Sequence, residues 1–286
     1  MLIRQTVLKS SGIKVSRIAL GLSHLHHMTS SHDRDRLIEG ARQLGITHFD
    51  TAPLYGDGLA ERALGRSLGP SRSEVTIATK FGLLPVRWIG ALGNHGWPIH
   101  AGRSVLRRLR LLKRPKRSFS IATFQSSLSA SLKALRTDYI DIFFLHEPTL
   151  ADLEGNQALL DALIKAKEAG KIRAIGIAGT PCGPIVARFG NIIDVIQTGE
   201  SNWDGALFVP DFTYGVIRGR RVTTSACEPG INPACASILR ALSRRPEGSV
   251  LVGTTKVSHL RELAEYAGRL PNVSAGAPSG GAMDPH

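Results

Sequence analysis

The stretch Ile46-Thr47-His48-Phe49-Asp50-Thr51-Ala52 decides the fold. It reads as a β-strand, with Asp50 toward its C-terminal end and Tyr55 on the loop beyond. The next strand-like run, Val75–Lys80, ends in a lysine and places Thr76, Ala78 and Lys80 on one face. The run after that, Asp141–His146, ends in a histidine. Three consecutive strands therefore finish in Asp, Lys and His, with a Tyr just past the first. (β/α)8 barrels gather their catalytic groups at this C-terminal rim.

Working outward, the remaining strand-like runs are Arg17–Leu22, Ala174–Ala178, Val195–Thr198, Phe212–Ile217 and Ser249–Gly253. Helical patterns fall at Asp33–Leu44, Leu59–Leu68, Ala122–Leu135, Glu154–Ala169, Pro184–Phe189, Pro233–Ser243 and Ser258–Ala267. Eight strands alternating with helices predict an α/β fold, a closed (β/α)8 TIM barrel. A length of 286 residues with 42% hydrophobic content suits one such domain, expected over residues 1–273, with a mobile Gly/Pro/Ala/Ser tail over 274–286. The stretch Asn202–Asp211 is too short for a full crossover helix, so one outer helix is expected to be thinned or missing. The connection after the third strand, residues 82–120, is long enough to read as a lid.

Quoted in order, FDTAPLYGDGLAERALG (Phe49–Gly65), IATKFG (Ile77–Gly82), DIFFLHEP (Asp141–Pro148), GKIRAIGIAG (Gly170–Gly179) and VLVGTTKVSHLRE (Val250–Glu262) resemble the aldo-keto reductase family. The YGxGxxE variant is similar to the branch that oxidises aldoses. The resemblance implies hydride transfer between a nicotinamide cofactor and an aldehyde, ketone or aldose. It also implies a catalytic tetrad of Asp50, Tyr55, Lys80 and His146. Independent chemistry agrees with those roles. A reductase needs an acid to protonate the oxygen, a free tyrosine titrates near about 10, and a neighbouring ammonium favours the phenolate. Asp50 would hold Lys80, and His146 would orient the carbonyl.

For the cofactor, the resemblance assigns Gln197 to the nicotinamide carboxamide and Tyr214 to stacking beneath the ring. Gly253, Thr254, Thr255 and Lys256 precede a helix whose free N–H groups attract phosphate. Lys256 there favours NADP(H), with NAD as the alternative, and Glu262 fits an adenine contact. The chain departs from the family pattern at two places. Ala178-Gly179 stands where a Ser-Asn pair is usual, so backbone groups or Thr180 would have to substitute, and Leu263 stands where an Asn is usual. His24, Trp88, Arg103 and Arg107 are candidate substrate contacts.

The net charge is +13, and eight of the basic residues lie in residues 103–117, which contain no acid. Arg103, Arg107, Arg110 and Arg114 share one helix face, which would suit an anionic carbonyl or sugar substrate if this segment is the lid. The competing reading is a solvated face, or contact with acidic lipid or a partner. The segment lacks interleaved aromatics, which argues against nucleic acid as the partner. Gly56-Asp57-Gly58 lacks the third glycine of a dinucleotide fingerprint. His24, His26 and His27 cluster, but no metal is expected there. Cys182, Cys227 and Cys235 follow no redox or metal spacing. With no secretory leader and no apolar run of roughly 20 residues, the sequence reads as cytoplasmic without a transmembrane segment. Oligomeric state is not legible. The alternative to an enzyme is a cofactor-binding regulatory or interaction protein on the same barrel, with little turnover.

Overall fold

The structure is a computed structural model, which describes residues 2–86, 115–179, 181–203, 205, 207–217 and 232–267. The expected lid helix, Trp88, Arg103, Arg107, Thr180, Cys227 and the 274–286 tail lie outside the described residues.

Strands β3 (Ile18–Gly21), β4 (His48–Asp50), β5 (Thr76–Phe81), β6 (Ile140–His146), β7 (Ile172–Ala178), β8 (Val195–Gly199), β9 (Phe212–Tyr214) and β10 (Ser249–Val252) form a closed, all-parallel barrel. β10 pairs back onto β3 with Leu251 opposite Ala19. Helices α1 (Ser31–Gln43), α2 (Leu59–Leu68), α3 (Ile121–Leu135), α4 (Leu150–Leu153), α5 (Gln157–Glu168), α6 (Gly183–Phe189), α7 (Pro233–Ser243) and α8 (Val257–Ala267) surround it. The expected eight-stranded barrel is the observed fold.

The strand period of two sorts the core into layers. Ile18, Leu20, Phe49, Ile77, Phe143, Ile175 and Ile177 face outward and pack under the helices. Ala19, Ala78, Ile142, Phe144, Ala174, Val195 and Phe212 fill the barrel interior. Fitting Phe144 inside requires glycine on the neighbouring strand, since a Cβ on Gly176 would stand 2.3 Å from its ring.

Three details differ from the sequence expectation. An antiparallel hairpin, β1 (Gln5–Val7) with β2 (Lys14–Ser16), precedes the barrel, and Leu8, Ile13 and Val15 join the interior cluster. The helix expected over Glu154–Ala169 begins later, at Gln157, because Gly155 at φ 71° interrupts the run, and an unexpected short helix, α4, precedes it, capped by Thr149 with Asp152. The strand expected over Phe212–Ile217 stops at Tyr214, with Gly215 at φ 73°. The missing outer helix is as expected. Between β8 and β9 the described residues hold only a 3₁₀ turn, Glu200–Asn202.

Candidate active site

The inward phase of the strands delivers the site. Asp50, Lys80, His146, Ala178, Gln197 and Tyr214 continue the interior-facing positions to the C-terminal ends of β4 to β9. Register keeps them level: Asp50 pairs with Ala78, His146 with Ala178 and Ala178 with Gln197. They open into a cleft of about 1040 Å3 whose wall includes Tyr55, Lys80, His146, Glu147, Gln197 and Tyr214. A shallower hollow of about 560 Å3 at the opposite end, beside Asp138 and Lys171, holds none of the sequence-predicted residues.

At the floor, Lys80 Nζ donates to both carboxylate oxygens of Asp50 at 2.6 Å and to the Thr51 carbonyl at 2.9 Å. Gln197 Nε2 donates to the same carboxylate at 3.2 Å. Burial raises the Asp50 carboxyl and lowers the Lys80 ammonium, and the contact between the two groups opposes both shifts. Strand β5 is tied to α2 by Thr79, whose hydroxyl donates to the buried carboxylate of Glu61 at 2.7 Å.

Tyr55 sits on a loop held by unusual backbone. Gly56, Asp57 and Gly58 have φ of 60°, 50° and 88°, and a Cβ on Gly56 would stand 2.7 Å from that of His26. Asp57 Oδ1 pins the loop by accepting from the Val86 N–H at 2.7 Å. This places the Tyr55 ring with its centroid 5.0 Å from Lys80 Nζ. The His146 ring stands edge-on to it, 6.2 Å between centroids.

Protonation follows from this burial. His146 is pushed down to about 3, first by desolvation and then by the Lys80 charge, so it is a neutral imidazole at ordinary pH. Tyr55 is pushed well above its ordinary value by burial first, then by Asp50, Tyr214 and Glu147. This corrects the expectation that Lys80 brings Tyr55 down toward neutrality. In the site as it stands, desolvation of the phenolate outweighs the ammonium, and Tyr55 holds its proton.

The cofactor candidates divide. Gln197, Tyr214 and Gly253 line the cleft, as does the candidate substrate contact His24. Thr254, Thr255 and Lys256 continue from Gly253 into the turn before α8, where Thr254 Oγ1 accepts from the Lys256 N–H at 3.1 Å. Glu262 lies along α8 facing Asn232, whose Nδ2 is 3.5 Å from its carboxylate. Cys182 and Cys235 are buried free thiols. Among the described residues, no group of three or more His, Cys, Asp or Glu could hold a metal ion, and no helix is long and apolar enough to cross a membrane. Sequence reasoning missed Glu147, Asn202 and Arg117, which also line the cleft. No periodicity marks them, since all three lie beyond strand ends.

A (β/α)8 barrel with Asp, Lys and His at the ends of successive strands and a Tyr over the lysine defines a class of protein. A model described as the aldo/keto reductase family matches residues 17–187, more than half of the chain, and the protein belongs to that family. L-galactose dehydrogenase of Arabidopsis thaliana is 30% identical over 61% of this chain and 48% of its own length. D-threo-aldose 1-dehydrogenase of a Pseudomonas species is 28% identical over 59% of this chain and 51% of its own. The chain thus spans about half the length of the curated relatives it matches. In solved structures, an aldo-keto reductase from Klebsiella pneumoniae in complex with NADPH superposes with a TM-score of 0.68 at 19% identity, covering 96% of this chain and 92% of its own.

Proposed function

We propose that this protein is an NADP(H)-dependent oxidoreductase, acting on an aldehyde, ketone or aldose and its alcohol, with Tyr55 as general acid and base. The observation that carries the reading is the buried Asp50–Lys80 pair beneath Tyr55, with neutral His146 beside it at the mouth of the cleft. In reduction, Tyr55 would give its proton to the carbonyl oxygen. Lys80, held by Asp50 and the Thr51 carbonyl, would stabilise the phenolate left behind. His146, being neutral, would orient the oxygen by a hydrogen bond without competing for the proton. The upward push on Tyr55 by burial keeps its proton in place, available to be donated.

One feature supports a nicotinamide nucleotide here. Gln197 Oε1 is buried with no hydrogen-bond partner, an acceptor that needs an N–H donor such as a carboxamide. At Gly253 a Cβ would stand 2.9 Å from His24 Nδ1, so glycine here lets His24 pack against the backbone of the cleft wall. When bound, the reduced nicotinamide supplies the hydride. Thr254, Thr255 and Lys256, at the entry to α8, would take the phosphate end. The NADPH-bound neighbour and the two dehydrogenase relatives make NADP(H) and an aldose-type substrate the favoured choices.

The test is an absorbance assay with NADPH and NADP+ over aldoses, aldehydes and their alcohols, run on wild type and Tyr55→Phe. Turnover should fall by about 10²–10⁴-fold in the variant while nucleotide binding stays near wild type. Undiminished turnover would sink the acid–base assignment. Lys256→Ala should weaken NADPH binding and spare NADH, and equal weakening of both would remove Lys256 from 2′-phosphate recognition.

A further inference from the structure

Glu147 follows directly on His146 and has φ of 55°, a left-handed conformation uncommon for a residue with a Cβ and a pointer to function where it occurs. Two contacts hold it there. Its N–H donates to the Ala178 carbonyl at 2.6 Å, carrying the β6–β7 ladder one step past His146. Its side chain lies over Gly179, where a Cβ would stand 2.9 Å from Glu147 Cγ and 3.0 Å from Glu147 Cα. A side chain at position 179 and Glu147 in this pose therefore exclude each other. Gly179 is itself bonded to β8, donating its N–H to the Gln197 carbonyl at 3.0 Å.

The charges around the cleft then become uneven. Asp50 is neutralised by Lys80, and Arg117 is paired with Asp152. Among the described residues, the Glu147 carboxylate has no hydrogen bond or ion pair, and it is exposed on the cleft wall. After burial, its charge is among the causes that raise both Tyr55 and Tyr214. The ends of three neighbouring strands thus present two acceptors still without donors, the Glu147 carboxylate and Gln197 Oε1. A ligand suited to both carries an N–H2 group, which offers two donors, and gains further if it is cationic.

We propose that Glu147 anchors the nicotinamide end of the nucleotide together with Gln197, and that its charge favours the oxidised, cationic ring over the reduced, neutral one. The assignment rests on the nicotinamide reading given above. Coulomb attraction acts on the cation and leaves the neutral ring nearly untouched, so a carboxylate on the wall separates the two affinities. A group that binds one state more tightly shifts the equilibrium toward that state. Glu147 therefore draws the equilibrium on the protein toward NADP+ and the alcohol, and raises occupancy by NADP+ when both nucleotides are present.

The experiment measures dissociation constants of NADP+ and NADPH by fluorescence titration, with 2′-phospho-ADP-ribose as the ligand that lacks nicotinamide. Wild type, Glu147→Gln and Glu147→Lys are compared. Glu147→Gln should weaken NADP+ about tenfold and NADPH less than about threefold, with 2′-phospho-ADP-ribose unchanged. Glu147→Lys should carry the NADP+/NADPH ratio further in the same direction. Tight binding of both nucleotides with an unchanged ratio in both variants would overturn the assignment and leave the oxidoreductase reading standing. Binding of neither nucleotide by wild type would bring down that reading, and the assignment with it.

Discussion

Residues 17–187 and the described residues from 188 to 267 build one barrel in different ways. In the first region every strand is followed by an α-helix, and buried polar groups are tied across strands. Asp141 illustrates this, accepting from Arg72 at 2.8 Å, from Arg173 at 2.6 Å and from the Ile77 N–H at 2.8 Å. In the second region β8 and β9 are joined without an α-helix among the described residues. There Glu200 bonds both Arg244 and Arg245 at 3.0 Å and accepts from the Thr213 hydroxyl at 2.7 Å. The two guanidinium groups lie 4.6 Å and 5.3 Å from the Trp203 ring centroid. The contrast shows that closing a parallel barrel requires paired backbone and shielded polar groups. An outer helix is one way to shield them, and an aromatic ring with two arginines is another. The family model matches the region built the usual way.

The largest break in this contrast is expected at Asp50. Asp50→Asn leaves the Lys80 ammonium, 2% exposed, without its counter-charge. Removing one partner of a buried pair costs about 3–5 kcal/mol. Turnover should fall along with melting temperature, because the same pair holds the ammonium that lies beneath the Tyr55 ring. A variant that melts like wild type in calorimetry would show that the pair contributes little to folding.

A second effect is a pH limb set by His48, which spans the two regions. Its ring stacks on Phe212 of β9 at 4.5 Å and its Nδ1 lies 2.8 Å from Thr76 Oγ1. The Thr76 hydroxyl donates to the Thr47 carbonyl, so Nδ1 carries the hydrogen and Nε2 is left a buried, unpartnered lone pair. Burial, then Lys80, pushes His48 down to about 3. The sign follows directly. Between pH 6.5 and 3 the unfolded chain binds a proton that the folded chain refuses, so stability falls as pH falls. From pH 6.5 to 4 the loss is on the order of 3 kcal/mol. His48→Asn should flatten this limb in urea titrations at successive pH values, and an unchanged slope would assign the acid loss elsewhere, with His146 the next candidate.

How much of this was legible follows from the same contrast. Where an element's period reaches the rim, the sequence locates the group: Asp50, Lys80, His146 and Gln197 all sit on the inward phase of strands whose apolar alternation is plain. Tyr55 was found through its motif. Glu147 was not, because a left-handed glutamate carries no sequence signature, and only its crowding against Gly179 reveals it. The β1–β2 hairpin escaped because its three-residue strands are too short for periodicity to register. Helix α4 escaped because its four residues, Leu150–Leu153, are too few for a helical period to register. The net direction for Tyr55 was not legible, since a neighbouring charge can be read from a sequence and the burial that outweighs it cannot.

In the second region the expected effects are smaller and fall on stability. Glu200→Gln leaves Arg245, 2% exposed and pushed down to about 10 first by burial, without its carboxylate. Because Arg244 and the rim of Trp203 are open to water, the cost should be about 2 kcal/mol, below that of a fully buried pair. Amide exchange should rise in β8 and β9 and stay unchanged in β4 to β6. Uniform acceleration over the whole barrel would mean that the two regions open together and that the contrast between them is one of construction only.

The smallest effect tests the second region through a pH limb of opposite sign. Asp211 precedes β9, its carboxylate accepts from the Ile196 N–H at 2.9 Å, and its carbonyl accepts from the Ser249 N–H at 2.8 Å, so one residue joins β8 to β10 at the barrel's N-terminal end. Burial, only partly opposed by the backbone hydrogen bonds, raises its carboxyl to about 6. Between pH 3.8 and 6 the folded chain therefore binds more protons than the unfolded chain, and stability falls as pH rises through that window. At pH 7 the ionised group costs about 1–2 kcal/mol, after allowance for its partial exposure. Asp211→Asn keeps an oxygen to accept from Ile196 and removes the charge. It should therefore stabilise the protein at pH 7 by about that amount and leave it unchanged near pH 4. The combined curve of wild type is then the sum of two opposed limbs, a steep acid loss from His48 and a shallow acid gain from Asp211. Urea unfolding of Asp211→Asn at pH 4, 5.5 and 7 separates them. A variant less stable than wild type at pH 7 would mean that the carboxylate's hydrogen bond to β8 outweighs its desolvation, and that the second region, like the first, is held by its buried charges.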